Sequence, residues 1–189
     1  FQVKLKRCVP GERIEDAEPV CALCSAGKYS SIENAFECEP CPKGKYSANG
    51  ASICIDCPIG KFQDKFGKYL CKDCNPNTFA NETGTEQCVS CIPGLYQDEL
   101  GTSSCKYCAK GTFRTKDETK CSKCVPGKST KGIEGGSCKA CRKGQYSSTE
   151  GSFSCTACKS GKYTDAEGKS VCINCLQGWH TDNKAGEDG

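Results

Sequence analysis

Apolar residues occur along the chain singly or in short runs, and no segment repeats them at helical spacing. The longest apolar runs are far shorter than a membrane span requires. An aromatic residue instead recurs once per repeat of about seventeen residues, with polar residues and glycines around it. This arrangement is typical of short strands separated by tight turns. The pattern predicts a chain made mostly of small β-hairpins and loops.

Cysteines set the period of the chain. After the single Cys8 come ten C-x-x-C pairs, and successive pairs begin 16 or 17 residues apart. The consensus is C-x-x-C-x-x-G-x-(Y/F), followed by a second glycine four residues before the next pair. We predict an N-terminal segment with a partial repeat over 1–20, nine tandem repeats over 21–174, and a truncated further repeat over 175–189.

The first of two glycine columns lies three residues after the second cysteine of each pair, and Asn77 is its one exception. Asparagine is, after glycine, the residue that best tolerates left-handed backbone. Where proline precedes the glycine, as in Pro10-Gly11, the two residues suit the centre of a type II turn. The column therefore predicts a turn with a positive φ angle at the start of each repeat.

The second glycine column lies four residues before the next cysteine pair, with Asn34 and Asp117 in place of glycine in two repeats. Asn49-Gly50 in this column is a strong signal for a two-residue hairpin turn. Each repeat is therefore predicted to hold a short strand around its aromatic residue, a tight turn at the second glycine and a short return strand.

The aromatic column gives most repeats one large ring. Packing over the disulfides is its expected role, because aromatic side chains supply much of a small core, and contact with a glycan or another ligand is the alternative. Ser129 and Arg13 break the column, and Trp179 lies one place early. The rings are Tyr29, Tyr46, Phe62, Phe79, Tyr96, Phe113, Tyr146 and Tyr163.

Composition excludes an ordinary hydrophobic core. Of 189 residues, 21 are cysteine and only 27 are Leu, Ile, Val or Phe. Such cysteine content is typical of a disulfide scaffold, and so few large apolar residues cannot fill a core of this length. The net charge is +3 with interspersed signs, so no nucleic-acid-binding face is expected. The chain also lacks methionine and a signal-peptide-like segment, and we expect a mature or trimmed segment.

Three chemistries are possible for paired cysteines at this spacing. Four thiolates can bind zinc, but in a uniform period each pair would have an equal claim on both neighbours. A C-x-x-C motif can be a redox site, but ten in tandem are not expected to be catalytic. Structural disulfides are favoured, which places the chain outside the reducing cytosol.

The ends of the cysteine series favour one connectivity, in which the second cysteine of each pair bonds the first of the next. This ladder gives Cys8 a partner and leaves only Cys175 over, as the opening of a repeat whose partner would lie beyond residue 189. Bonds within each C-x-x-C, or crossed bonds between pairs, both leave Cys8 unexplained. The bonds of the ladder are Cys8–Cys21, Cys24–Cys38, Cys41–Cys54, Cys57–Cys71, Cys74–Cys88, Cys91–Cys105, Cys108–Cys121, Cys124–Cys138, Cys141–Cys155 and Cys158–Cys172.

Two stretches carry a family resemblance. Residues 41–57 (CPKGKYSANGASICIDC) and 158–175 (CKSGKYTDAEGKSVCINC) resemble the ephrin-receptor-like cysteine repeat, which is related to EGF-like and tumour-necrosis-factor-receptor-like modules. The resemblance extends from residue 8 to about residue 180. It implies the ladder connectivity and an extracellular, secreted or cell-surface location. Long uniform runs of such repeats resemble the shafts, stalks or flagellar hairs (mastigonemes) of surface assemblies.

Few residues outside the cysteines point to a site. Asn81-Glu82-Thr83 is the only N-glycosylation sequon, predicted at an exposed hairpin tip. A lysine follows the first glycine at Lys28, Lys45, Lys61, Lys128 and Lys162, either as a basic stripe for an acidic polysaccharide or as stems that cover neighbouring rings. A solvated acidic loop is expected at Glu12, Glu15, Asp16 and Glu18, and no role is expected of His180.

These features predict a stiff, disulfide-laddered rod on the order of 100 Å long, if each repeat advances by about the spacing of packed sheets. Its expected role is structural, with other extracellular or surface proteins, copies of itself or glycans as partners. The alternative is a ligand-binding receptor or adhesion ectodomain, for which Phe66, Tyr69 and Leu70 are a small candidate patch. No enzyme activity, catalytic residue, metal site or cofactor is expected, because no nucleophile–base pair or paired-carboxylate motif is visible.

Overall fold

The computed structural model describes residues 7–15, 20–115, 118–131 and 136–178. Every strand in these ranges belongs to a two-stranded antiparallel sheet. The same ranges contain no helix of the length and hydropathy that a bilayer crossing requires. The predicted class, a small disulfide-rich fold of hairpins and loops, is confirmed.

The repeat that begins at Cys41 shows how each hairpin is built. Lys45–Tyr46 pairs with Ile55–Asp56, and Tyr46 lies opposite Ile55. The first strand directly follows the turn glycine, and the second strand consists of the two residues between the cysteines of the next pair. The two residues between paired cysteines are therefore strands of the hairpins.

The described residues form two compact units, and the first comprises 7–15, 20–90 and 99–105. Its first hairpin has strands of four residues, and the other four hairpins have strands of two residues. The strands are β1 (Glu12–Glu15) with β2 (Val20–Leu23), β3 (Lys28–Tyr29) with β4 (Glu39–Pro40), β5 (Lys45–Tyr46) with β6 (Ile55–Asp56), β7 (Lys61–Phe62) with β8 (Lys72–Asp73), and β9 (Thr78–Phe79) with β10 (Val89–Ser90).

The second unit comprises 91–98, 106–115, 118–131 and 136–178. All the hairpins in its described part have strands of two residues. The strands are β11 (Leu95–Tyr96) with β12 (Lys106–Tyr107), β13 (Thr112–Phe113) with β14 (Ser122–Lys123), β15 (Lys128–Ser129) with β16 (Lys139–Ala140), β17 (Gln145–Tyr146) with β18 (Thr156–Ala157), and β19 (Lys162–Tyr163) with β20 (Ile173–Asn174).

The first glycine column forms the predicted turns. In Val9-Pro10-Gly11-Glu12, the Glu12 N–H donates to the Val9 carbonyl at 3.0 Å, and φ is +93° at Gly11. A hydrogen bond across four residues with positive φ at the third is the geometry of a type II turn. Asn77 has φ of +64°, so the prediction from the asparagine substitution is confirmed.

The second glycine column has positive φ as predicted, but its role is not to close a two-residue hairpin. The chain does turn at Asn49-Gly50, and the return strand follows at Ile55–Asp56, but the residues between the strands run from 47 to 54, so only the two-residue hairpin loop is wrong. Gly50, with φ of +71°, instead donates its N–H to the Cys24 carbonyl of the preceding repeat at 2.7 Å. The conformation serves contact between repeats, which a local turn signal does not distinguish from hairpin closure. Asp117 lies outside the described residues.

Backbone hydrogen bonds join consecutive repeats within each unit. In the first unit, the Gly44 N–H donates to the Gln63 carbonyl at 2.8 Å, and the Gln63 N–H donates to the Thr85 carbonyl at 3.1 Å. In the second unit, the Gly127 N–H donates to the Ser147 carbonyl at 2.7 Å. Main-chain groups that would otherwise lose water without compensation are satisfied by the neighbouring repeat.

The core consists of cysteine sulfur, glycine, alanine and a column of mostly polar side chains. The second cysteine of most pairs is buried, whereas the aromatic column is only half-buried. The residue after the aromatic is the buried one, and its own N–H and carbonyl make many of the bonds between repeats. The buried members of this column are Ser30, Ser47, Gln63, Ala80, Gln97, Arg114, Ser147 and Thr164.

Candidate functional site

The disulfides of the structure follow the neighbour ladder. The single Cys8 bonds Cys21, and eight further bonds link the second cysteine of one pair to the first of the next, all across sequence separations of 13 or 14. Cys91 and Cys105 are disulfide-bonded as well. Cys175 is a free thiol, half-buried. Glu12 lies near Cys8 and Cys21, but the sulfurs of these cysteines are joined in a disulfide and do not offer thiolates to a metal.

The lysine column divides into two kinds of residue. Lys45 and Lys61 form ion pairs across their hairpins, with Asp56 at 2.7 Å and Asp73 at 2.6 Å. The other three members, Lys28, Lys128 and Lys162, are exposed. A continuous basic stripe would therefore include lysines whose charge is already balanced.

The remaining candidate residues lie apart from one another. Asn81 is exposed, in the connection between the strands of its hairpin. Glu15 pairs with Arg13 at 3.0 Å, and Glu12 accepts a hydrogen bond from the Val9 N–H. The other predicted positions lie outside the described residues: Asp16, Glu18, Trp179 and His180.

Arg114 is the one arginine in the buried column, and its side chain is 0% exposed. Its guanidinium donates to the carbonyls of Cys91 at 2.9 Å, Ile92 at 3.3 Å and Glu118 at 2.6 Å, and also to the Leu95 carbonyl. The fork of an arginine thus ties two consecutive repeats together. Sequence reasoning missed this residue, because nothing in the period marks the position after the aromatic as buried.

A concave surface of the second unit is a candidate site. It encloses about 590 Å³ between the hairpin β15–β16 and the hairpin β17–β18 that follows it. We call it the Ser129 groove, and its main lining residues are Ser129, Lys131, Lys139, Arg142, Gln145 and Phe153.

The first unit has a groove at the equivalent place, between hairpins β7–β8 and β9–β10. It encloses about 490 Å³, and we call it the Phe62 groove. Phe62 takes the place of Ser129 in the repeat, Asp64 that of Lys131, and Glu86 that of Phe153. The same fold position therefore carries an acidic groove with a ring in one unit and a basic groove without that ring in the other.

An ion pair beside the Phe62 groove has an equivalent in another repeat. Lys72 lies 2.6 Å from Asp64, and Lys106 lies 2.9 Å from Asp98 at the equivalent place in another repeat. The hydrogen bond from each lysine lowers the pKa of its aspartate, and backbone hydrogen bonds lower it further. These exposed pairs fix the two strands of a hairpin but add little free energy.

Large apolar side chains are exposed before the first cysteine of several repeats in the first unit. Phe36 is 79% exposed, and Tyr69 and Leu70 are each about 60% exposed. Phe66 is likewise exposed, with the Lys43 ammonium 5.9 Å from its ring centre. The residues proposed from the sequence as a receptor patch therefore lie at the surface.

Part of the chain is similar in sequence to two curated proteins. The chain is 28% identical to mouse "Signal peptide, CUB and EGF-like domain-containing protein 2" and 32% identical to its human counterpart. Each match covers 32% of this chain, which spans only 8% of the length of either relative. The likeness concerns one region of a much longer protein.

A family model described as "Tyrosine-protein kinase ephrin type A/B receptor-like" matches the chain four times, at residues 44–86, 78–120, 132–168 and 144–187. Together these matches cover more than half of the chain. Disulfide-rich repeats of this kind are typical of extracellular and cell-surface proteins. The period, the disulfide ladder and these matches agree: the chain belongs to the ephrin-receptor-like family of cysteine-rich repeats.

Proposed function

We propose that this chain is a non-catalytic structural segment of an extracellular or cell-surface protein, acting as a stiff spacer in a surface, matrix or filamentous assembly. The observation that supports the proposal most strongly is the bonding between repeats. Each unit holds consecutive repeats together by main-chain hydrogen bonds as well as by disulfides within the hairpins. Spacers need stiffness more than a deep pocket, and short-range bonding of this kind provides it.

Short connections between the described hairpins of each unit support the proposal. The two residues between paired cysteines are themselves strands, as at Ile55–Asp56 and Lys139–Ala140. Bending between repeats would break bonds such as that from the Gly84 N–H to the Cys57 carbonyl at 2.8 Å. Since several such bonds join consecutive described repeats within a unit, bending inside a unit is expected to be costly.

Small-angle X-ray scattering of the oxidised chain tests the spacer proposal. A stiff rod predicts a maximum dimension on the order of 100 Å, if each repeat advances by about the spacing of packed sheets. The radius of the cross-section should match that of a single stack of hairpins. A compact particle, or the scattering of a flexible coil under oxidising conditions, would contradict the proposal.

A ligand-binding ectodomain is the second candidate, favoured by the exposed Tyr69 and Leu70 in the first unit. A protein partner that uses this patch would lose affinity when Tyr69→Ser and Leu70→Ser are combined. Val171→Ser is a matched control, since Val171 is exposed immediately before a first cysteine in the second unit. Cross-linking to surface proteins that is lost only in the Tyr69/Leu70 variant would favour this function over the spacer.

Asn81 carries a further part of the proposal, N-glycosylation during secretion. Its exposed place between strands leaves room for an oligosaccharide. Expression through a secretory pathway should add the mass of an N-glycan that a glycosidase removes. Asn81→Gln should abolish the added mass, and an unchanged mass of the wild-type chain would refute occupancy.

A further inference from the structure

Three cationic side chains line the Ser129 groove. Lys131 and Lys139 lie on one hairpin, and Arg142 opens the next. None of the described residues that line it is a carboxylate, and no ion pair among the described residues involves these three cations. Three cations around one concave surface repel one another unless an anion lies between them.

Two other repeats have an ion pair at these positions. Asp64 and Lys72 pair at 2.6 Å in the first unit, and Asp98 and Lys106 pair at 2.9 Å in the second. At the same two places in the repeat, the Ser129 groove has Lys131 and Lys139. This repeat therefore has a second ammonium where those two repeats have a carboxylate, and none of the described lining residues supplies the missing negative charge.

The groove has also lost the ring that its counterpart contains. Beside the Phe62 groove, the Lys72 ammonium lies 5.6 Å from the centre of the Phe62 ring. Ser129 stands at that place in the second unit, and its hydroxyl lies 3.2 Å from the Cys155 sulfur. A small hydroxyl in place of a ring is consistent with the larger volume of 590 Å³ against 490 Å³.

We propose that the Ser129 groove binds an acidic saccharide, with a sulfate or carboxylate group held between Lys131, Lys139 and Arg142. The hydroxyl of Ser129 and the amide of Gln145 offer hydrogen bonds to sugar hydroxyls. Phe153, 60% exposed, offers a flat apolar face to a sugar ring.

The lining favours a saccharide over an acidic peptide. Peptides usually bind by adding a strand to a free sheet edge or by placing apolar side chains in pockets. The strands here are two residues long, which leaves almost no edge, and Phe153 is the only large apolar residue among the described lining residues. Hydroxyls, an amide, cations and one ring match a sugar that bears acidic groups.

Isothermal titration calorimetry of the full oxidised chain with a heparin-derived hexasaccharide tests this proposal. We expect saturable binding to one site per chain that weakens as salt rises. The triple variant Lys131→Gln, Lys139→Gln, Arg142→Gln should bind about tenfold more weakly or worse. The charge-matched control is Lys28→Gln, Lys110→Gln, Lys162→Gln, which removes three exposed cations elsewhere and should bind like the wild type.

Each other outcome would overturn the proposal. Equal losses in the two triple variants would show attraction to net charge rather than to the groove. Equal binding of a desulfated hexasaccharide would remove the role of the anionic group, and tighter binding of an oligoglutamate peptide would identify a peptide site. Mapping of the disulfides in both variants controls for folding, since the substituted side chains are at the surface.

Discussion

The Phe62 groove and the Ser129 groove lie at the same place in the repeat, one in each unit, yet their chemistry is opposite. The first holds a ring, a lysine and the carboxylates of Asp64 and Glu86, whereas the second holds three cations and a serine in place of the ring. The turns, disulfides and main-chain bonds around them are the same in kind. The comparison teaches that sulfur and backbone build the frame, which leaves the outward side chains free to vary.

The largest effect is expected from a change to the frame itself. A Cβ atom on Gly127, where φ is +84°, would lie 2.0 Å from the Gly168 carbonyl oxygen two repeats on. Gly127→Ala should therefore lower the free energy of unfolding by about 4 kcal/mol, because the repeats must move apart. Chemical denaturation followed by circular dichroism would measure the loss.

Gly161→Ala is the matched control for that substitution. Gly161 has φ of +77°, but nothing lies within 4 Å of an added Cβ atom. Only the cost of left-handed backbone remains, which is about 1–2 kcal/mol. Equal losses for the two variants would show that close packing of repeats is not what the glycine provides.

A smaller effect is expected inside the buried column, where the two units also differ. Arg114→Ala removes the donor to carbonyls of the preceding repeat and should cost about 3 kcal/mol. Gln63→Ala, at the same place in the first unit, removes the bond to the Leu70 carbonyl at 2.6 Å and the one from the Lys65 N–H at 3.2 Å, and should cost about 1 kcal/mol. Hydrogen exchange of each variant would show whether the amides near Cys91 lose more protection than those near Cys57.

The sequence predicted the frame better than the surface. The period, the turn at Pro10-Gly11 and the positive φ of Asn77 could be predicted because backbone geometry restricts residue type at those places. The buried column could not, since serine, glutamine, alanine and arginine all occupy it and share no property except a main chain bonded to its neighbours. The two-residue hairpin predicted at Asn49-Gly50 was wrong for a related reason. A positive φ identifies the conformation of the backbone but not the residue to which it bonds.

The grooves were equally hidden from the sequence. Ser129 was visible as a break in the aromatic column, but only the structure places it beside Lys139 and across from Arg142. The contact depends on how one hairpin meets the next, which residue spacing within a repeat does not specify.

A single substitution should make the Ser129 groove more like the Phe62 groove, with only a modest effect on stability. Lys131→Asp recreates, opposite Lys139, the carboxylate found in the pairs of Asp64 and Asp98. We expect stability to change by less than about 1 kcal/mol, while affinity for the acidic hexasaccharide falls by up to about tenfold. Calorimetric titration and thermal unfolding of the same sample measure both quantities. Undiminished binding by this variant would show that the saccharide does not bind between Lys131 and Lys139.

The smallest effect concerns pH and only one of the grooves. The hydrogen bond from Lys72 lowers the pKa of Asp64 below its ordinary value of 3.8. A carboxyl whose pKa is lowered by folding stabilises the fold above its unfolded-state pKa and loses that contribution as pH falls through the lowered value. Nuclear magnetic resonance titration of the carboxyl carbon should show the lowered pKa, and Lys72→Gln should return it towards 3.8. A titration unaffected by Lys72→Gln would assign the shift to the backbone hydrogen bond instead.

Disulfide mapping of the native, unreduced chain by mass spectrometry tests the account most directly, because both grooves depend on one frame. We expect cross-linked peptides that join Cys57 to Cys71 and Cys124 to Cys138, with the same neighbour pairing along each unit. Bonds within single C-x-x-C pairs, stoichiometric zinc or a majority of free thiols would contradict it.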